Sequence, residues 1–209
     1  MTVLTRKGSL TVGTLLLGVA AGVFLLVAQT HAAPPADPPA QSESVVQIGF
    51  AIAPVDLNLT GKNQALVGKG SYLVNAAGGC NDCHTWRPTD EPPNYGTNYE
   101  EGGDPFLGQP EQIYQAGYLG GGRPFGPFTS RNLTPDATGT VADGFGTFRQ
   151  IMRHGFDPDG ITPVLQVMPW PIYRNLSEND LKAIYEYLTS IPCVEGTPGE
   201  PENDTHRCG

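Results

Sequence analysis

Cys80-Asn81-Asp82-Cys83-His84 constrains this chain more than any other stretch. In a Cys-x-x-Cys-His run, each of the two thiols can add to one vinyl group of a haem, and the histidine that follows lies against the iron. Two other chemistries use the same cysteine spacing. Half of a zinc site needs a second close Cys or His pair, and the remaining cysteines, Cys193 and Cys208, are too far apart to supply one. A thioredoxin-like redox pair sits beside a βαβ unit, and no alternation of strand and helix patterns flanks this one. The motif therefore predicts covalent haem c, with thioether links from Cys80 and Cys83 and with His84 as the proximal iron ligand. It occurs once, so one haem per chain is expected.

The amino-terminal end points to export. Arg6 and Lys7 precede an apolar run from Leu10 to Val27, and Thr30-His31-Ala32 offers a small-x-Ala cleavage pattern. Residues 1–32 read as a signal peptide. The run also just reaches the length of a spanning helix, so an uncleaved membrane anchor is the alternative, and a periplasmic location follows from either. In 209 residues there is room for this leader, a linker and one domain. The formal charge is −9, and loss of Arg6 and Lys7 with the leader takes it to −11. Such a balance argues against nucleic acid and anionic membrane surfaces as partners and suits a redox partner with a basic docking face, although solubility alone asks for the same sign.

Beyond the leader, 33–40 is a proline-rich spacer with little to bury. Val45 to Leu59 turns apolar, and Pro54 suggests an extended segment across the domain surface, so 33–60 reads as linker and extended segment. From Gly61 to Gly79, Leu66, Gly70, Leu73, Val74 and Ala77 recur at helical spacing, which predicts a helix that ends at Cys80. Gly70 inside it costs about 1 kcal/mol relative to alanine, so another backbone is expected to approach there. Trp86 to Ser130 is rich in Gly, Pro and Tyr with no sustained period; a long loop region is expected, with one helical turn around Pro110 to Ala116. A second helix should run from Phe145 to His154 and stop at Gly155. The last is the clearest: Ser177-Glu178-Asn179-Asp180 is an N-cap pattern, and Leu181, Ile184, Tyr185 and Leu188 follow before Pro192.

The opposite face of the haem needs a second ligand, and the inventory is short. Met1 lies in the leader, and Met152 shares a helix face with Phe148, where methionine usually fills core. Met168 stands in Val167-Met168-Pro169-Trp170, a proline-flanked segment suited to holding a thioether at a metal. It is the expected axial partner of His84, since Met/His ligation is an electron-transfer pairing. His154 ends a helix beside Gly155, where the helix dipole favours a surface histidine; His31 and His206 fall at the leader boundary and in the polar tail.

With these residues in order, the chain resembles the monohaem class I cytochromes c of bacteria, and more narrowly the cytochrome domains related to the haem subunits of periplasmic dehydrogenases. The carriers are Gly70-Ser71-Tyr72-Leu73-Val74 before the haem motif, Asn132-Leu133-Thr134-Pro135-Asp136, Arg153-His154-Gly155, Met168-Pro169-Trp170, and Asp180 to Leu188. The resemblance implies an all-α class I cytochrome c fold over 61–192, helices around one covalently bound haem, here with a long irregular Gly/Pro/Tyr-rich loop insertion. It also implies that the first and last helices cross where Gly70 meets Tyr187. Asn132 to Pro135 would lie near the haem edge, with Arg131 a candidate propionate contact or simply part of a surface turn. Two features depart from the family pattern: the length of Arg87 to Gly117, and a tail, 193–209, that carries Cys193 and Cys208. In an oxidising compartment these two cysteines are expected to form a structural disulfide; a metal site or an intermolecular bridge is the alternative.

The expected activity is single-electron transfer between redox proteins such as a dehydrogenase, an oxidase or another cytochrome, with no catalysis by the chain itself. Trp170, Phe125 and Phe128 are candidates for an apolar cover over the haem. Two alternatives remain: a haem subunit permanently docked on a dehydrogenase through the aromatic loop, and a ligand sensor with an exchangeable sixth position.

Overall fold

Ser44 begins the described chain with a cap. In the computed structural model, residues 44–89, 96–137, 139–157, 162–195 and 208 are described. Every described residue belongs to one compact unit within Pro39–Gly209. The expected leader or anchor and the proline-rich spacer, with His31, and also His206 in the tail, lie outside the described residues. Among the described residues, no helix is long and apolar enough to cross a membrane.

The expected extended segment at 45–59 is corrected in its first half: Val45–Ile52 is a helix, α1. Ser44 Oγ accepts from Gln47 N–H while Ser44 N–H donates to Gln47 Oε1, a capping box that satisfies donors at the helix start. Pro54 acts as a stop, forcing Ala53 before it into an extended conformation (φ −62°, ψ 119°). Helix α2, Gln64–Tyr72, starts from an Asn63 cap and carries on as a single π-helical turn, Leu73–Ala77. Its buried face is Val67, Gly68, Gly70, Ser71 and Val74. Leu66 and Ala77, expected on that face, are only half-buried and exposed, respectively.

Helices α1 and α2 cross glycine on glycine. A Cβ on Gly49 would stand 1.8 Å from the Gly68 carbonyl oxygen, and Ser71 Oγ donates to the Gly49 carbonyl at 2.6 Å. The other crossing is the one expected at Gly70. A Cβ there would stand 2.0 Å from the Ala183 carbonyl oxygen and 2.7 Å from Tyr187 Cβ.

The haem motif forms α3, Cys80–His84. Two short antiparallel ribbons follow, Arg87–Pro88 (β1) with Gly96–Thr97 (β2), and Pro124–Phe125 (β3) with Phe128–Thr129 (β4). The helical turn expected around Pro110 to Ala116 is corrected: 3-10 turns lie at Pro105–Leu107 and Gln115–Gly117, while Ile113 pairs in a bridge with Tyr99. Among the described residues, most of the remainder of this region lies outside helices and strands.

Helix α4, Gly144–His154, buries Phe148, Ile151 and Met152 and ends at Gly155 with φ 65°, the left-handed stop that glycine adopts without a Cβ clash. Trp170–Tyr173 adds a one-turn helix, α5, concealed in the sequence by Pro169 and Pro171 on either side of Trp170. Pro171 sits in its first turn, where a missing N–H costs nothing. Helix α6, Glu178–Leu188, has the full Ser177/Asp180 capping box. Val67, Val74, Leu119, Phe148, Met152, Leu181, Tyr187 and Leu188 belong to one core cluster in which these helices meet the 118–119 segment.

Candidate haem site

A helix of five residues is far too short to hold its own ends, so α3 depends on what surrounds it. Gly79, at φ 58°, resets the chain after the π turn, and Tyr173 Oη on α5 donates to the Gly78 carbonyl at 2.8 Å. The carboxyl end of α3 is tied to one segment, 119–131. Gly121 N–H donates to the His84 carbonyl at 2.7 Å, and Leu119 N–H to Thr85 Oγ1 at 2.9 Å. Arg123 donates from Nη1 to the Asp82 carbonyl, with its guanidinium 5.2 Å from the Trp86 ring centroid and 5.5 Å from that of Phe125. Carbonyls that a short helix leaves orphaned are thus taken up by the loop. Leu119 accepts φ 57°, a left-handed conformation disfavoured for leucine, while fully buried in the core.

The fourth tie involves a side chain of the motif. His84 Nδ1 lies 2.8 Å from the Arg131 carbonyl oxygen. A carbonyl only accepts, so this bond places the proton on Nδ1 and leaves the Nε2 lone pair for a metal. Burial lowers the His84 pKa and so favours the neutral imidazole, against the opposing pull of the Arg131 carbonyl. Burial, with Cys83 beside it, pushes the Cys80 thiol up to about 12. Burial also raises Cys83, although the Arg123 guanidinium works against it. Both thiols are half-buried and outside any disulfide.

Behind α3 lies a buried polar cluster. Asn75 Nδ2 donates to Ser71 Oγ and to Tyr187 Oη, each at 3.1 Å, and Tyr118 Oη reaches Asn75 Oδ1 and, at 2.9 Å, Tyr187 Oη. Burial and the neighbouring Tyr187 raise the Tyr118 pKa well above 10.0, so its phenol stays protonated as a donor. These bonds join α2, α6 and the loop at the level of the π turn.

Met168 is half-buried and packs against the core cluster, whereas Met152 lies within it and His154 is exposed at the end of α4. The Arg131 side chain pairs with Asp157. Asn132 and Thr134 are buried and hold the tail: Asn132 Nδ2 donates to the Val194 carbonyl at 2.8 Å, and Val194 N–H donates to Thr134 Oγ1 at 3.0 Å. Cys193 and Cys208 are joined in a disulfide, Cα atoms 5.7 Å apart. Asp136 lies close to both sulfurs, but a disulfide offers no thiolates to a metal. Of the three aromatics expected over the haem, Trp170 stacks against Gly155, Phe125 lies beside Arg123, and Phe128 is half-buried in β4. Sequence reasoning missed the carbonyl of Arg131 and the side chain of Arg123. The first leaves no trace in residue type, while the second shows only as a cation between aromatics.

The gluconate 2-dehydrogenase cytochrome c subunit of Pantoea cypripedii is 35% identical over 127 residues, 60% of this chain and 23% of that protein. The chain is related to the cytochrome c subunits of dehydrogenases. The cytochrome c subunit of alcohol dehydrogenase (quinone) from Gluconacetobacter polyoxogenes is 32% identical over 127 residues, covering 60% of this chain and 22% of its own. The fructose dehydrogenase cytochrome subunit of Gluconobacter japonicus is 28% identical over 123 residues, 58% of this chain and 20% of that protein. This cytochrome c relative thus spans under a quarter of the length of these relatives. No family model and no solved structure matches it. Its residues fit a haem: an oriented, neutral imidazole follows two half-buried thiols on one short helix.

Proposed function

We propose that this chain is a periplasmic monohaem c-type cytochrome that carries single electrons between redox proteins, one of them a dehydrogenase. The reading is carried by His84 Nδ1 bonded to the Arg131 carbonyl within a Cys-x-x-Cys-His turn, which frees Nε2 as a ligand. Bound haem supplies reversible one-electron iron chemistry. Cys80 and Cys83 would hold it by thioether links, and His84 and Met168 would fill the two axial positions. Arg131 would reach a propionate as well as Asp157, since a guanidinium has five N–H donors. With those two side chains as its ligands, the iron would keep no seat for a substrate, and the chain's work would be to orient, bury and insulate the group. As a ligand, the Met168 thioether would favour the reduced state and raise the potential. The relatives' names support a dehydrogenase as partner, either as a transient donor or as the catalytic subunit on which this chain stays docked.

Replacing Met168 with alanine tests the ligand set on the exported, full-length protein. The expected result is loss of the low-spin spectrum of the wild type, a lowered potential, and rapid carbon monoxide binding by the ferrous form. An unchanged spectrum and potential would remove Met168 from the iron. Rapid stoichiometric carbon monoxide binding by the wild type would instead favour the ligand sensor. The mass of the mature protein checks one haem, the Cys193–Cys208 disulfide and cleavage of residues 1–32 together.

A further inference from the structure

From Pro88 to Gly122 the chain has no Lys or Arg but six carboxylic acids, Asp90, Glu91, Glu100, Glu101, Asp104 and Glu111. Glu101 and Glu111 are exposed, Glu100 and Asp104 half-buried, and none of these four is ion-paired among the described residues. Out of this acidic stretch the Pro105–Leu107 turn lifts Phe106 and Leu107 into solvent, 86% and 73% exposed. The turn is built to hold them there. Asp104 Oδ1 accepts from Phe106 N–H at 2.8 Å, Gln109 Oε1 accepts from Asp104 N–H at 2.9 Å, and Gly108 closes the turn at φ 73°. Tyr99 meets the Phe106 ring edge-on, with centroids 6.4 Å apart.

Glu100 and Glu111 also line a groove whose other walls include the end of α1 at Ala51 to Pro54, Asn75 and Asn81. Asn81, between the two cysteines proposed to link the haem, keeps its Oδ1 buried with no hydrogen-bond partner among the described residues. Two carboxylates and an unsatisfied amide oxygen give this groove acceptors for a partner's donors, beside the amides of Asn75, Gln112 and Gln115. Two large apolar side chains fixed in water, bordered by one sign of charge, are the composition of an interface centre with a charged rim.

We propose that the Phe106–Leu107 knob and the acidic groove beside it are the docking face for the dehydrogenase catalytic subunit, through an apolar pocket rimmed by Lys and Arg. The proposal rests on the reading of this chain as a dehydrogenase's haem subunit. The relatives' names point to the dehydrogenase, and charge weighs against two other occupants. A second copy, at a formal −9, or an anionic lipid surface would bring like charge to this face. Because the groove reaches Asn81, a partner seated there lies against the haem-bearing helix.

The test places the photo-crosslinker p-benzoylphenylalanine at Phe106 in the full chain, in the producing cell, with the same group at exposed Ile172 as a control. Adducts are identified by mass spectrometry. The expected product at 106 is a peptide of a dehydrogenase catalytic subunit with flanking Lys or Arg. It should fall by about fivefold or more when Glu101→Lys and Glu111→Lys are added, and it should be absent from the control. No adduct, an adduct to a second copy or to lipid, or one undiminished by charge reversal would overturn the proposal. The pyridine haemochrome spectrum of the same samples separates the two readings. Haem without the adduct removes the docking face alone, and an adduct on a chain without haem removes the proposed function and leaves the docking face standing.

Discussion

The α2–α6 crossing and the 119–131 segment both brace the haem motif, and they do so by opposite means. At the crossing, backbone meets backbone: Gly70 leaves no room for a Cβ against the Ala183 carbonyl, and Ala183 and Tyr187 are fully buried. The segment 119–131 uses directed bonds instead, to the carbonyls of Asp82 and His84, to Thr85 Oγ1 and to His84 Nδ1. Dispersion at a dry crossing depends on shape and tolerates no added volume. A loop held by hydrogen bonds can lose one and remain in place. The crossing therefore sets whether the domain folds, and the segment sets how His84 and α3 are presented.

The largest effect that would break this contrast is at Gly70. Gly70→Val should destabilise the domain by about 3 kcal/mol or more, because Ala183 backbone cannot give way. Urea unfolding of the haem-loaded protein measures it. By comparison, Gly108→Ala, where a Cβ meets nothing within 4 Å, should cost only the strain of its positive φ, about 1 kcal/mol.

Next comes the tail that docks on Asn132 and Thr134. Cys193→Ser with Cys208→Ser opens a loop spanning 15 residues and should cost about 3 kcal/mol in the chain-entropy model, with the haem spectrum unaltered. A changed spectrum would show that the tail, too, sets the haem site.

Arg123→Ala should have a smaller effect on global stability, about 2 kcal/mol, from a charge-assisted hydrogen bond to Asp82 and two ring contacts. Its distinguishing sign is a lowered haem potential, since a fixed positive charge near Cys83 opposes the oxidised iron. An unchanged potential with the same loss of stability would reduce Arg123 to a packing residue.

The smallest effect is at the rim of the crossing. Burial would raise the Asp180 pKa, but hydrogen bonds from Lys69, 2.5 Å away, and from Ser177 pull it below 3.8. A depressed folded pKa contributes stability that is complete above the ordinary carboxylate value and is lost as pH falls through the lowered one. Asp180→Asn should therefore cost about 0.5 kcal/mol at neutral pH, discounted for partial exposure, and less at acid pH, as acid unfolding curves would show.

Much of the frame is legible in residue order. Gly70 announces a close approach, Ser177 with Asp180 announces the start of α6, and Gly155 announces the end of α4, because each rule acts within one turn of helix. Helix α1 was obscured by Pro54, which reads as a breaker although it lies past the helix end, and the Ser44/Gln47 box was the signal that could have revealed it. Helix α5 is hidden by Pro169 at its cap and Pro171 in its first turn. In the site, Cys80, Cys83 and His84 are legible as a motif, whereas the Arg131 carbonyl is not, since every residue carries one.

By itself the sequence determined the Cys-x-x-Cys-His motif, two capped helix ends and the glycine at the crossing, all of them local or steric requirements written into residue type. Tertiary structure alone decided which loop carbonyl orients His84, which arginine closes the end of α3, and that Asn132 and Thr134 hold the tail. Those choices join residues some 40 to 60 positions apart, Arg131 to His84 and Val194 to Thr134. Backbone donors and acceptors are alike in every residue, so only the packed chain selects among them.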